Sequence, residues 1–117
     1  MIKRICMARF TYTVLSRAHP GKLDEFIDWY REQHLPDVTK MPGVLSGRIF
    51  RMDFQRVYDL EVPQWNLMTI YELECDDPET MVNGLRDASG SAVMPMTDTL
   101  NKSGMIQAVG HLIAASD

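Results

Sequence analysis

His34 is the residue in this 117-residue chain best suited to moving a proton. An imidazole has an ordinary pKa of about 6.5, so it can take up or release a proton at working pH. It closes the stretch Leu23-Asp24-Glu25-Phe26-Ile27-Asp28-Trp29-Tyr30-Arg31-Glu32-Gln33-His34. On a helix, Leu23, Phe26, Ile27, Tyr30 and His34 share one stripe, while Asp24, Glu25, Asp28, Arg31 and Glu32 share the opposite side. Trp29 and Gln33 fall on the flank. The spacing predicts an amphipathic helix over 23–34 whose apolar face ends in an imidazole. Pro36 is expected to stop it, because the residue before a proline is pushed out of the α region. A helix C-terminus would favour the charged ring and burial the neutral one. The plainer role for His34 is to cap the helix by bonding a last-turn carbonyl.

Other side chains can complete a site around that imidazole. Tyr12, Arg48 and Tyr71 lie on predicted strands, and Tyr30 lies on the apolar stripe of the helix. A tyrosine hydroxyl at a cavity wall orients a phenol or carbonyl, and an arginine holds an enolate or carboxylate. Taken singly, each is also an ordinary strand, core or surface residue. His111, between Val109 and Ile113, faces either the same cavity or a satisfied core. Asp98, in Thr97-Asp98-Thr99, either orients His34 or caps a turn. His19, beside Pro20, reads as a solvated loop residue, and Trp65 as the anchor of a strand end. Three scattered histidines with Cys6 and Cys75 make no metal motif. No phosphate loop, dinucleotide fingerprint or nucleophile elbow is present. The expected chemistry is proton transfer alone, with no metal and no cofactor.

The elements that must position these groups can be read from periodicity. Residues 4–17 read as a strand with Cys6, Ala8, Phe10, Tyr12 and Val14 on one face. Ala18-His19-Pro20-Gly21 breaks it before the helix, and Met41-Pro42-Gly43 marks a turn after a short extra turn at 37–41. Residues 44–53 read as a second strand, with Val44, Ser46, Arg48, Phe50 and Met52 on one side. Residues 55–64 form a loop, and 65–75 a third strand with Leu67, Thr69, Tyr71 and Leu73 on one face. Asp76-Asp77-Pro78-Glu79 starts a helix, since aspartate caps free amides and proline costs nothing at the first helical position. Met81, Val82 and Leu85 are its buried stripe, and it ends near Ser89-Gly90. Residues 91–102 connect to a fourth strand over 105–114. The order βαββαβ is that of a ferredoxin-like α+β domain with a four-stranded antiparallel sheet, and the chain forms one domain. Two helices on one face leave the other sheet face bare, which a second copy can cover.

Composition narrows the partners. A net charge of −4 and scattered Lys and Arg argue against nucleic acid. No apolar run is long enough to span a membrane, the first residues do not read as a signal peptide, and two cysteines fit a reducing cytoplasm. Nine methionines fit gap-filling in an ordinary core.

Several stretches together resemble the dimeric α/β-barrel superfamily, in particular its EthD-like branch. They are Pro20-Gly21-Lys22-Leu23-Asp24-Glu25-Phe26, Trp29-Tyr30 with Glu32, His34, Leu35 and Pro36, and Met41-Pro42-Gly43. Further along are Arg48-Ile49-Phe50-Arg51, Ile70-Tyr71-Glu72-Leu73-Glu74, Asp77-Pro78 and Met94-Pro95-Met96. The resemblance spans nearly the whole chain. It implies a dimeric barrel in which the histidine matching His34 faces a cavity between helix and sheet. Relatives of this type carry many reactions, so the resemblance implies the fold more narrowly than the chemistry. The expectation is a homodimeric, cofactor-independent enzyme acting on a small hydrophobic, aromatic substrate in a lyase, isomerase or cyclase reaction. The alternatives are a cofactor-free monooxygenase on a phenol or hydroquinone, and a non-catalytic ligand-binding or stress-response barrel.

Overall fold

Alternation of Tyr12, Val14 and Ser16 with Thr11, Thr13 and Leu15 is the period of a strand with one buried face. In the computed structural model, which describes residues 7–116, it forms β1 (Ala8–Ala18). The outlying part of this segment, with Cys6, lies outside the described residues. The other strands are β2 (Val44–Arg51), β3 (Leu67–Cys75) and β4 (Leu100–Gly110), with helical segments α1 (Leu23–Trp29), α2 (Leu35–Thr39) and α3 (Pro78–Ala88). The strands make one sheet in the order β2-β3-β1-β4, and every pair is antiparallel. The helices cover one face. Phe26 and Tyr30 pack on Leu67, while Val38 and Leu85 pack with Tyr12, Val14, Tyr71 and Leu73. Fully burying side chains such as Phe26 and Leu67 contributes roughly 1.5–3 kcal/mol each.

The first helix does not stop at Pro36. A π-helical segment, Tyr30–His34, joins α1 to α2, and Leu35 stays helical at φ −58° and ψ −49°. Proline breaks a helix because it lacks an N–H and its ring meets the carbonyl four residues back. In the π segment hydrogen bonds run to the fifth residue rather than the fourth. That shift of the carbonyl ladder just ahead of Pro36 lets the helix continue to Thr39.

Two strands also depart from simple alternation. The β2–β3 register shifts between Val44 and Ser46, so Val44 faces the helices, while Ser46, Arg48 and Phe50 face away. A bulge adds one residue to one strand and reverses the facing of the residues beyond it. The fourth strand begins at Leu100 and ends at Gly110, where pairing with Thr11 stops. His111 and Ile113 therefore lie beyond the strand and are exposed. Trp65, by contrast, is buried and donates Nε1–H to the Gly104 carbonyl at 3.0 Å, fixing the approach to β3. Among the described residues, no helix is long and apolar enough to cross a membrane.

Candidate active site

Between the first helix and the sheet lies a cavity of about 410 Å³. That is within the range of small-molecule sites, which run from roughly 300 to 1,000 Å³. Its floor is the helix-side face of β1 and β3, where the two-residue period brings Tyr12, Val14, Ser16 and Tyr71 to one side. Its wall is the helix, from which Trp29, Tyr30, His34 and Val38 project. Met94, Met96, Leu100 and Met105 close much of the remainder. The lining is largely apolar, with a few convergent polar groups.

The π segment decides how His34 is presented. Residues five apart do not face each other on an α-helix, but they do where bonds run to the fifth residue. Trp29 accordingly leaves the flank and stacks on His34, with ring centroids 4.6 Å apart and planes 18° from parallel. Tyr30 meets the same imidazole edge-on at 5.0 Å and 84°. Phe26 continues the stack beneath Trp29 at 6.0 Å. The ring is thus clamped in orientation by aromatic contacts. Its Nδ1 is buried and has no hydrogen-bond partner in the protein, so His34 does not cap a carbonyl.

Electrostatics favour neutral groups here. Burial lowers the His34 pKa to about 4, and the nearby Asp37 carboxylate only partly offsets it. Asp37 is itself held by Gln33, whose Nε2 donates to its carboxylate at 2.6 Å. Burial likewise raises the Tyr12, Tyr30 and Tyr71 phenols, each further from ionising than in water. For Tyr12 and Tyr71 the neighbouring Tyr30 adds to the effect. Tyr12 and Tyr71 stack at 5.8 Å, and all three tyrosines line the cavity. At neutral pH the cavity presents an uncharged imidazole and three protonated phenols.

Tyr71 Oη, Ser16 Oγ and Trp29 Nε1, all on cavity-lining residues, are also buried without protein partners. A buried polar group left unpaired costs roughly 1–3 kcal/mol. Gathered around one hollow, these groups can bond water or a ligand held within it. Gly47 on β2 supports the arrangement. A Cβ there would lie 2.8 Å from Leu35 Cδ1 and 2.9 Å from the Tyr71 ring, so glycine lets that ring rest against the backbone.

Of the residues singled out from sequence, His34, Tyr12, Tyr30 and Tyr71 come together at this cavity. Arg48 does not, because the bulge in β2 turns it to the uncovered face, where its guanidinium lies 5.6 Å from the Phe50 ring centroid. His111 does not, because β4 ends before it; the exposed ring stands edge-on to Phe10 at 6.3 Å. Asp98 is exposed and outside the lining, and the turn there is capped by Thr97, whose Oγ1 accepts from the Thr99 N–H. Sequence reasoning missed Trp29 and Ser16. The one signal for Trp29 was its five-residue spacing from His34, meaningful only once the π segment is known. Among the described residues, no group of three His, Cys, Asp or Glu side chains could hold a metal ion.

Neither known protein families nor curated proteins match the chain by sequence. Solved structures do. An ethyl tert-butyl ether D (EthD) family protein from Bacillus halodurans C-125 superposes with a TM-score of 0.57 at 20% identity, covering 91% of this chain and 100% of its own. A protein named as a "putative monooxygenase" from Shewanella loihica PV-4 superposes with a TM-score of 0.60 at 16% identity, covering 94% of this chain and 99% of its own. At such identities the likeness is one of fold. The chain carries a ferredoxin-like α+β fold with a four-stranded antiparallel sheet, similar to that of its EthD-family neighbour.

Proposed function

We propose that the protein is an enzyme that moves a proton on a small, hydrophobic, aromatic substrate held beneath the first helix. The observation that carries this reading is the clamped, neutral His34 with an orphaned Nδ1 at an apolar cavity that also holds three protonated phenols. His34 takes a proton from a substrate carbon or hydroxyl. The electron pair left behind moves onto a substrate oxygen, where the tyrosine hydroxyls donate hydrogen bonds to it. The imidazolium, steadied by the nearby Asp37, then returns the proton at another atom. Elimination, isomerisation and cyclisation all reduce to this sequence. It asks nothing of the protein beyond acid–base and hydrogen-bonding groups.

A second reading uses the same base. The likeness to the Shewanella protein named as a monooxygenase favours oxidation of a hydroquinone or phenol by molecular oxygen, with His34 generating the electron-rich phenolate. We also infer that a second copy covers the bare sheet face. Phe50 and Ile106 are 39% and 41% exposed there, beside half-buried Leu15, Met68 and Ile70. Sedimentation at micromolar concentration checks this, and a monomer would refute it.

The test of function is turnover of a panel of phenols, hydroquinones and aromatic β-hydroxy ketones, with oxygen consumption recorded in parallel. His34→Ala should lower kcat by roughly 10²–10⁴-fold while the protein still melts cooperatively. Oxygen uptake matched to substrate consumption selects the second reading. Full turnover in the variant removes His34 from the mechanism. Tight binding without turnover, indifferent to His34→Gln, makes the protein a ligand carrier.

A further inference from the structure

The charges that face the cavity are one-sided. The chain has 16 Asp and Glu against 12 Lys and Arg, yet none of the residues lining the cavity is acidic. Two of them are cationic: Arg86, on the last turn of α3, and Lys102, on β4. Both are exposed, so they stand where the cavity meets solvent. Among the described residues, Arg86 pairs with the adjacent Asp87 at 3.4 Å. Lys102 forms no ion pair among the described residues. Inside, burial holds the imidazole and the phenols neutral, so these two cations are the formal charges that line the space.

A hollow with low-dielectric walls and charges of one sign at its mouth concentrates ions of the other sign. The interior supplies the complementary demand. Its orphaned groups at Tyr71, Ser16, Trp29 and His34 want hydrogen-bonding oxygens, and its walls want an apolar body. We infer that the substrate is an oxygenated aromatic acid, bound with its ring and hydroxyl or carbonyl oxygens inward and its carboxylate outward against Lys102 and Arg86. This rests on the proposed function and names the substrate class for the same cavity. It also gives the substrate one orientation: the carboxylate at the mouth keeps the reacting oxygen at the His34 and tyrosine end.

The experiment measures binding, so it does not depend on finding the reaction. Trp29 stacks on His34 at the cavity and reports occupancy by fluorescence, with Trp65→Phe removing the other tryptophan. The probes are 2-naphthol and 6-hydroxy-2-naphthoate, which share a ring system and differ by a carboxylate. The acid should bind about 5- to 10-fold more tightly at low salt, the scale of a partly exposed ion pair. The advantage should shrink in 0.5 M NaCl, where the screening length is only a few ångströms. In Lys102→Gln/Arg86→Gln, acid and alcohol should bind alike. If both probes bind equally to the unaltered cavity, or the preference survives the double substitution, the carboxylate assignment is overturned while the aromatic cavity stands. If neither probe binds, the aromatic cavity itself is refuted and the assignment falls with it.

Discussion

The two helical regions of this domain solve the same packing problem in opposite ways. The second, α3, begins with Asp77, whose Oδ1 accepts from the Glu79 and Thr80 amides at 3.1 and 3.4 Å. It carries Pro78 in its first turn, and the chain leaves it through Gly90 at φ 88°. It buries Leu85, packs half-buried Met81, Val82 and Ala88 beside it, and turns its remaining face to solvent. The first helical region has no side-chain cap at its start, a π segment in its middle and a proline inside it. Each departure costs stability, yet together they place Trp29, Tyr30 and His34 side by side over a cavity. A helix that mainly packs, and lends the cavity only Leu85 and Arg86 from its last turn, can satisfy its local preferences. A helix that presents a reactive group gives some of them up.

Acidification should show the largest effect of that difference. His34 has a pKa near 4 when folded, against about 6.5 in the unfolded chain, so between these values the unfolded state binds the extra proton. The stability tied to the neutral ring is fully present above pH 6.5 and is lost as pH falls from 6.5 through 4. Solvent access limits the loss to at most about 3 kcal/mol. Denaturant midpoints across that range should fall in the parent protein and flatten in His34→Gln; equal slopes would show that the ring is not buried neutral.

Gly47→Ala tests how tightly the floor supports the site. Its Cβ would press on Leu35 and the Tyr71 ring, so a loss of roughly 1–3 kcal/mol is expected, together with weaker turnover or probe binding. An unaltered melting temperature would show that the Tyr71 ring can shift freely. Tyr71→Phe separates support from chemistry. Because Tyr71 Oη has no protein partner, its removal should leave stability unchanged or slightly raised while turnover drops several-fold. A clear destabilisation would mean that the hydroxyl is structurally engaged.

Asp77→Ala gives the smallest effect on the site and the sharpest contrast. Losing the cap should cost about 1 kcal/mol, visible as a melting temperature lower by a few degrees, with turnover and ligand binding kept. If activity fell in step with stability, the start of α3, and not only the last turn that carries Arg86, would be coupled to the site.

The sequence by itself determined the elements whose signals are local. Two-residue alternation placed β1 and β3, Asp77-Pro78 started α3, and the apolar stripe through Phe26, Tyr30 and His34 set an imidazole against the sheet. Those features need only near neighbours along the chain, so the residues that report them are the residues that cause them. The tertiary structure alone decided which polar groups share the cavity. A single extra residue in β2 turned Arg48 away, the end of pairing at Gly110 left His111 outside, and the change to five-residue bonding before Pro36 stacked Trp29 on His34. Each is a shift of register by one residue or less than a turn. Its cause lies in the element packed alongside, and no pattern within the shifted segment records it.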